Sequence, residues 1–249
     1  MHVYDTLLIG SSYASFGYAL ARKNCLIAEE HHLCDTHFYL PFKSFAYTAY
    51  EPKSEDGKRL LSVFSSLSLF QNGMQNTNAF EIAFCKYVMQ KKQALLLGCR
   101  VIRFGKEKNL YRITLQTNEG LSTVYAQNVL DTRGSEEKKS MTVLFQSENI
   151  DKDSALLTRA FPDSAIESAF YEKRYAIHIP FPSTADENSA KLRIRNVWRT
   201  LESDSKIVCI APVFSKEDGG KTLCDDHYKN PIEAFEAGYV YAKKGVDQL

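Results

Sequence analysis

No Cys-x-x-Cys pair occurs in this sequence; its six cysteines, Cys25, Cys34, Cys85, Cys99, Cys209 and Cys224, are scattered singly. That spacing excludes a vicinal-dithiol redox motif and a zinc ribbon, and makes free thiols the ordinary reading. Long apolar runs are missing as well. No stretch approaches the roughly 18 uninterrupted apolar residues of a membrane-spanning helix, so none is expected. An excess of one charge is also absent, because 31 Lys and Arg face 30 Asp and Glu for a net charge of +1. So balanced a chain does not hold nucleic acid by bulk electrostatics, and its densest charged runs, at 136–139 and 243–244, read as solvated faces. The sequence does not open on a basic segment followed by an apolar one, so no secretion signal and a cytoplasmic location are expected. What remains, 249 residues that are 44% hydrophobic and 24% charged, has the composition of a globular protein with a sizeable core.

Against these absences stands the stretch from Tyr4 to Glu30, YDTLLIGSSYASFGYALARKNCLIAEE. Thr6 to Ile9 is a short apolar strand that Gly10 ends, and Ser11, Ser12, Tyr13, Ala14 and Ser15 follow. Ala14 to Arg22 reads as a helix, and Cys25 to Ala28 as a second strand that ends in Glu29 and Glu30. A strand, a small-residue turn, a helix and a strand closing on an acid about 20 residues later is the layout of a βαβ dinucleotide site. The turn lets backbone approach a pyrophosphate, the helix N-terminus adds N–H groups and a positive dipole end, and the acid takes ribose hydroxyls. In the G-x-G-x-x-G register only Gly10 is present, with Ser12 and Ser15 in the other two places. Serine keeps a Cβ near the ligand and avoids positive φ. The residues alone therefore leave two readings, a weakened dinucleotide site or a βαβ unit that packs in the same way and binds nothing.

Beyond Glu30, His31, His32, Cys34, Asp35 and His37 carry ligand chemistry, but a structural zinc set needs four well-placed donors and no second pair follows. No metal is expected. Arg59 to Phe70 reads as a short helix and Ala79 to Gln93 as a longer one capped by Asn78. Leu95 to Phe104 reads as a strand. From Val101 the period changes to two, and turns at 105–109 and 118–120 make a β-meander whose last strand runs from Ala126 to Asp131, before Thr132-Arg133-Gly134. Met141 to Ser147 and Tyr171 to Pro182 are strand-like, the second placing Tyr175 and His178 opposite Ile177 and Ile179. Leu192 to Thr200 is expected to be a strand with Arg193, Arg195 and Arg199 on a basic face, and Lys206 to Phe214 the last buried strand. Pro231 after Asn230 opens a closing helix.

This order of a βαβ turn, a helix, a meander and Asp131-Thr132-Arg133-Gly134 resembles the FAD-dependent oxidoreductases of the glutathione-reductase type. The arginine in the last motif is similar to that of the geranylgeranyl-reductase and lycopene-cyclase branch. The resemblance covers Tyr4 to Gly134 and resumes near the C-terminus. It implies an α/β, Rossmann-like FAD/NAD(P)-binding fold of three ββα layers, with a β-meander and a reduced substrate-side sheet. Residues 1–139 would form the FAD-binding core, 140–205 the reduced sheet, and 206–249 a strand and helix returning to the core. FAD is the cofactor so implied. Gly10, Ser11, Ser12, Tyr13, Ala14 and Ser15 would surround its pyrophosphate, Glu29 and Glu30 the ribose, and Val101 and Ile102 the adenine. Asp131, Thr132, Arg133 and Gly134 would make the return contact, and Asn230 and Pro231 would face the flavin end. No residue stands out as a general acid or base. The activity implied is oxidation or reduction of a small molecule; without a second glycine fingerprint, electrons would come from a separate reductase or protein partner, free reduced coenzyme or the substrate. Two alternatives stay open: a non-catalytic descendant serving as a binding or partner subunit, and a non-redox FAD enzyme resembling lycopene cyclase.

Overall fold

The computed structural model describes residues 2–32, 34, 50–71, 74–133, 135–181, 186–217, 223, 228 and 230–244. Alternation along Val3–Ile9 (β1) sends Leu8 to one face of a sheet and Leu7 and Ile9 to the other. Cys25–Ala28 (β2) divides the same way, Cys25 and Ile27 against Leu26 and Ala28. The two strands pair in parallel on either side of the helix Tyr13–Ala21 (α1). Three further helices are Glu55–Ser66 (α2), Thr77–Gln90 (α3) and, near the end of the chain, Pro231–Lys244 (α6). Between α2 and α3, Phe70–Gln71 (β3) and Met74–Gln75 (β4) make a short antiparallel pair.

Ala94–Leu96 (β5), Arg100–Glu107 (β6), Leu110–Thr117 (β7) and Gly120–Asp131 (β8) complete a six-stranded sheet of order β5-β2-β1-β8-β7-β6. The first half of β8 is antiparallel to β7 and the second half parallel to β1, so one long strand joins the meander to the βαβ unit. Ile113, Leu115 and Ala126 of the meander share a core with Leu7, Ile9, Leu26 and Ala28, which places the meander over the back of the parallel strands. Phe16 of α1, Leu60 and Phe64 of α2, Phe80 and Phe84 of α3 and Phe235 of α6 fill the front. The result is the expected three-layer ββα arrangement. Within it, α1 and α6 meet backbone to backbone: a Cβ on Gly238 would stand 1.9 Å from the Ala14 carbonyl oxygen, and one on Gly17 1.9 Å from that of Phe235.

A second unit follows in the order Ser135–Gln146 (β9), Ile150–Ala160 (α4), Ala165–Ser168 (β10), Arg174–Phe181 (β11), Glu187–Thr200 (α5) and Lys206–Glu217 (β12). Its antiparallel sheet has the order β10-β11-β9-β12, the split βαβ of ferredoxin-like folds. Val143, Phe145, Ile177, Leu157, Ile194 and Trp198 join the sheet to its two helices.

Several local expectations are corrected. Leu192 to Thr200 is helical, not extended: Ala190, Ile194 and Trp198 recur every four residues and are buried, while Arg193, Arg195 and Arg199 are exposed. The strand β12 pairs with β9 and belongs to the second sheet, so of the last segment expected to return to the first unit only α6 does so. Tyr175 lies on the same face as Ile177 and Ile179, and His178 on the other, where its Nδ1 meets the Thr142 hydroxyl at 2.8 Å. Asn76, two residues before the expected Asn78, caps α3 by accepting from the Ala79 N–H. Gly98, at φ +62°, breaks the expected strand into β5 and β6.

Candidate functional site

The chain leaves β1 towards β2 on one side, and β8 arrives on the other. The carboxyl ends of these three strands form the switch point at which open α/β sheets bind ligands. Two backbone bonds tie the ends together, Gly10 N–H to the Ala28 carbonyl at 2.9 Å and Thr132 N–H to that of Ile9 at 3.0 Å. Gly10 has φ +105°, a conformation that asks for glycine, and a Cβ there would stand 2.8 Å from Arg133 Cγ. The first glycine of the fingerprint is thus required twice.

Ser12 needs no glycine, because its φ is −116°. It is the N-cap of α1: its hydroxyl accepts from the Ser15 N–H at 2.9 Å, and its own N–H donates to Ser15 Oγ at 3.3 Å. Ser12-x-x-Ser15 is therefore a reciprocal capping box, a pattern visible in the sequence but masked there by the glycine register. Ser15 is fully buried, donates to the Gly10 carbonyl at 2.8 Å and lies 2.8 Å from Thr132 Oγ1. Its hydroxyl joins β1 to β8 where a glycine would bring helix and strand together. Tyr13 and Ala14, the next residues of the turn, are buried with it.

Glu29 closes over the turn from the end of β2. One carboxylate oxygen accepts from the Ser11 N–H at 2.7 Å and the Ser11 hydroxyl at 3.0 Å. The other meets the His31 N–H at 2.9 Å and His31 Nδ1 at 2.8 Å. Burial works to raise the Glu29 pKa, but hydrogen bonds from the His31 side chain and backbone and from the Ser11 backbone outweigh it and hold the group below the usual carboxylate range. On the third strand, Arg133 grips Asp131 through Nε at 2.9 Å and Nη2 at 3.0 Å, and this pair raises the arginine pKa.

Other expected contacts fall further off. Glu30 is exposed and faces Arg100 at 3.5 Å. Cys99, ahead of Val101 and Ile102, donates its N–H to the Glu29 carbonyl at 2.8 Å. Val101 packs against the meander core, and Ile102 is the extra residue of a bulge between Val101 and Arg103. Asn230 accepts from the Ile232 N–H at 2.8 Å and so caps α6, directly before Pro231. α1 and α6 cross in close contact, Ala14 against Gly238 and Gly17 against Phe235, with Arg22 reaching the Ala242 carbonyl at 2.9 Å. Gly134 lies outside the described residues.

Measured against FAD, these residues fit in position and charge. Glycine holds the turn at positive φ, a carboxylate ends β2, and the N-terminus of α1 follows the turn directly. The donors and acceptors are bonded to one another, Glu29 to Ser11 and His31 and Ser12 to Ser15.

No protein-family model matches the sequence, and no curated protein matches it. Solved structures do resemble the fold. The chain is similar to an anhydrotetracycline hydroxylase from Streptomyces rimosus, with TM-score 0.57 and 10% identity over 86% of this chain and 53% of that one. It is also similar to a p-nitrophenol 4-monooxygenase from Pseudomonas putida, with TM-score 0.55 and 8% identity over 98% and 78% of the two chains. A flavoprotein/dehydrogenase from Cytophaga hutchinsonii gives TM-score 0.54 and 11% identity over 96% and 77%. These likenesses show the fold, that of FAD-binding Rossmann-type flavoenzymes. The chain spans about half the length of the hydroxylase. No helix among the described residues is long and apolar enough to cross a membrane.

Proposed function

We propose that this chain binds FAD across the carboxyl ends of β1, β2 and β8 and acts as a cytoplasmic FAD-dependent oxidoreductase on a small molecule. One observation carries the reading: at the switch point the Thr132 hydroxyl donates to the Gly10 carbonyl while Glu29 accepts from the next residue, Ser11, on a fold shared with flavoenzymes. When bound, the flavin supplies the redox chemistry. The chain's part is to hold it: Gly10 to Ser15 at the pyrophosphate, Glu29 and Glu30 at the ribose, Val101 and Ile102 beside the adenine, Asp131 to Gly134 at the return of β8, and Asn230 and Pro231 at the flavin end. The six-stranded sheet with α6 is the cofactor unit, and the β9–β12 unit is the substrate side. Electrons come from a separate reductase, from free reduced coenzyme or from the substrate.

A second reading, a non-catalytic partner subunit built on the same fold, is favoured by the closed hydrogen-bond set of Glu29, Ser12 and Ser15. The test is the absorption spectrum of the purified protein, recorded again after FAD is added and the excess removed. Flavin bands close to one per chain, lost in a Gly10→Val variant that keeps its circular dichroism, are the expected result. A colourless protein that retains no added FAD removes the oxidoreductase reading and leaves the partner subunit. Reduction of the bound flavin by a reduced nicotinamide coenzyme separates redox turnover from the non-redox role of a lycopene-cyclase-like enzyme.

A further inference from the structure

Three side chains that the flavin reading does not use meet beneath α3. Glu81 and Cys85 stand one helical turn apart and face the same way. Cys34, which follows β2, lies in the same buried cluster as the inward face of α3. The Cys34 and Cys85 sulfurs and a Glu81 carboxylate oxygen all lie within 4.8 Å of one another. Cys34 is 3% exposed and Glu81 5%. Cys85 donates to Glu81 Oε1 at 3.0 Å, and the second carboxylate oxygen, Oε2, is buried without a hydrogen-bond partner. A buried acceptor left in that state lowers stability, so it asks for a reason.

The donor set supplies one. Two thiolates and one carboxylate suit zinc and its soft relatives, whereas magnesium and calcium take oxygen shells. Binding releases the thiol protons, and the three anionic ligands together carry one negative charge more than a divalent cation neutralises. A disulfide between Cys34 and Cys85 would leave Glu81 Oε2 as it is, but a cation would fill it. We propose that Cys34, Glu81 and Cys85 form a three-ligand site for a thiophilic divalent cation of the zinc class, its remaining position taken by water. Bound there, the cation fastens the chain that follows β2 to α3. It thereby steadies His31, three residues before Cys34, on Glu29.

The test uses the full chain, reduced and stripped of metal by a chelator, and titrated with Co2+. One ion per chain with a thiolate-to-cobalt charge-transfer band, displaced by Zn2+, is expected. Zn2+ should also protect two thiols from alkylation, identified by peptide mapping as Cys34 and Cys85, a readout that needs no variant. Cys34→Ser and Cys85→Ser should abolish the band, while Cys209→Ser keeps it. Glu81→Gln should weaken binding by at least about tenfold, since even outer-shell partners cost 10–100-fold. Absence of the charge-transfer band, or a band that survives both serine variants, overturns the proposal. So does a chain that takes up no cobalt and instead closes a Cys34–Cys85 disulfide in air.

Discussion

Glu29 and Glu81 are equally buried, at 6% and 5% exposed, and the fold treats them in opposite ways. Four donors surround Glu29, and it is held below the ordinary carboxylate range. Burial pushes Glu81 up to about 9; the pairing and charge of Cys85 beside it add to the shift, and the Cys34 backbone opposes it. Desolvation acts on both groups; the number of donors decides the outcome. At neutral pH the first is an anion held by its neighbours, and the second is a neutral acid whose Oε2 makes no hydrogen bond. The region proposed to hold FAD is thus the closed one, and the carboxylate oxygen without a hydrogen bond lies on α3.

Removing each carboxylate should break this contrast. Glu29→Ala strips the acceptor from the Ser11 and His31 N–H groups and from two side chains. We expect a loss of about 4 kcal/mol, since buried charge-assisted bonds are being broken from one side. Urea unfolding measures it, as a lower midpoint at unchanged slope. The acid limb should change as well. A carboxyl with a depressed folded pKa contributes stability that is present above its unfolded value of 4.5 and is lost as pH falls through the folded value. The wild type should therefore lose stability below about pH 4.5 more steeply than Glu29→Ala. Equal acid limbs would mean that Glu29 is not ionised in the fold.

Glu81→Gln should move stability the other way in metal-free protein. A carboxyl with a raised folded pKa holds its proton when folded and releases it when unfolded, so stability falls as pH rises from 4.5 to about 9. Glutamine keeps the acceptor for Cys85 and has no proton to lose. At pH 7 the variant should be the more stable by about 3 kcal/mol, and at pH 4 the two should coincide. Thermal unfolding at the two pH values checks this. A variant less stable at pH 7 would show that Glu81 is an anion with a partner.

What could be read from the sequence follows the range of the interactions. The βαβ unit was legible because its signals are local: a glycine at the strand end, two apolar runs and a terminal acid within 30 residues. The meander was legible from its turns, and α6 from Pro231 after a capping Asn230. The α5 helix was not, because Arg193, Ile194 and Arg195 imitate period two, and the four-residue recurrence of Ala190, Ile194 and Trp198 rests on three residues. The place of β12 was not either, since no residue of a strand says which partner it will take. Two features of the site depend on contacts across long separations. Ser15 meets Thr132 from 117 positions away, and Cys34 meets a Glu81–Cys85 pair that looks like any i, i+4 pair on a helix.

The smallest expected change bears most directly on whether the closed region can open. Ser12→Ala removes the acceptor of the Ser15 N–H and one half of the capping box, and should cost about 1 kcal/mol, the usual worth of an N-cap hydroxyl. An unchanged urea midpoint would mean that water replaces the hydroxyl and that the box adds nothing. Its effect on flavin separates two roles for the same atom. If Ser12 competes with phosphate for the N-terminus of α1, alanine frees the Ser15 N–H, and the flavin-to-protein ratio after removal of excess FAD rises although the fold is weaker. If the hydroxyl instead donates to phosphate, the ratio falls. The extended φ of Ser12 and its bond to the Ser15 N–H place it among the competitors, so a rise is the expected outcome.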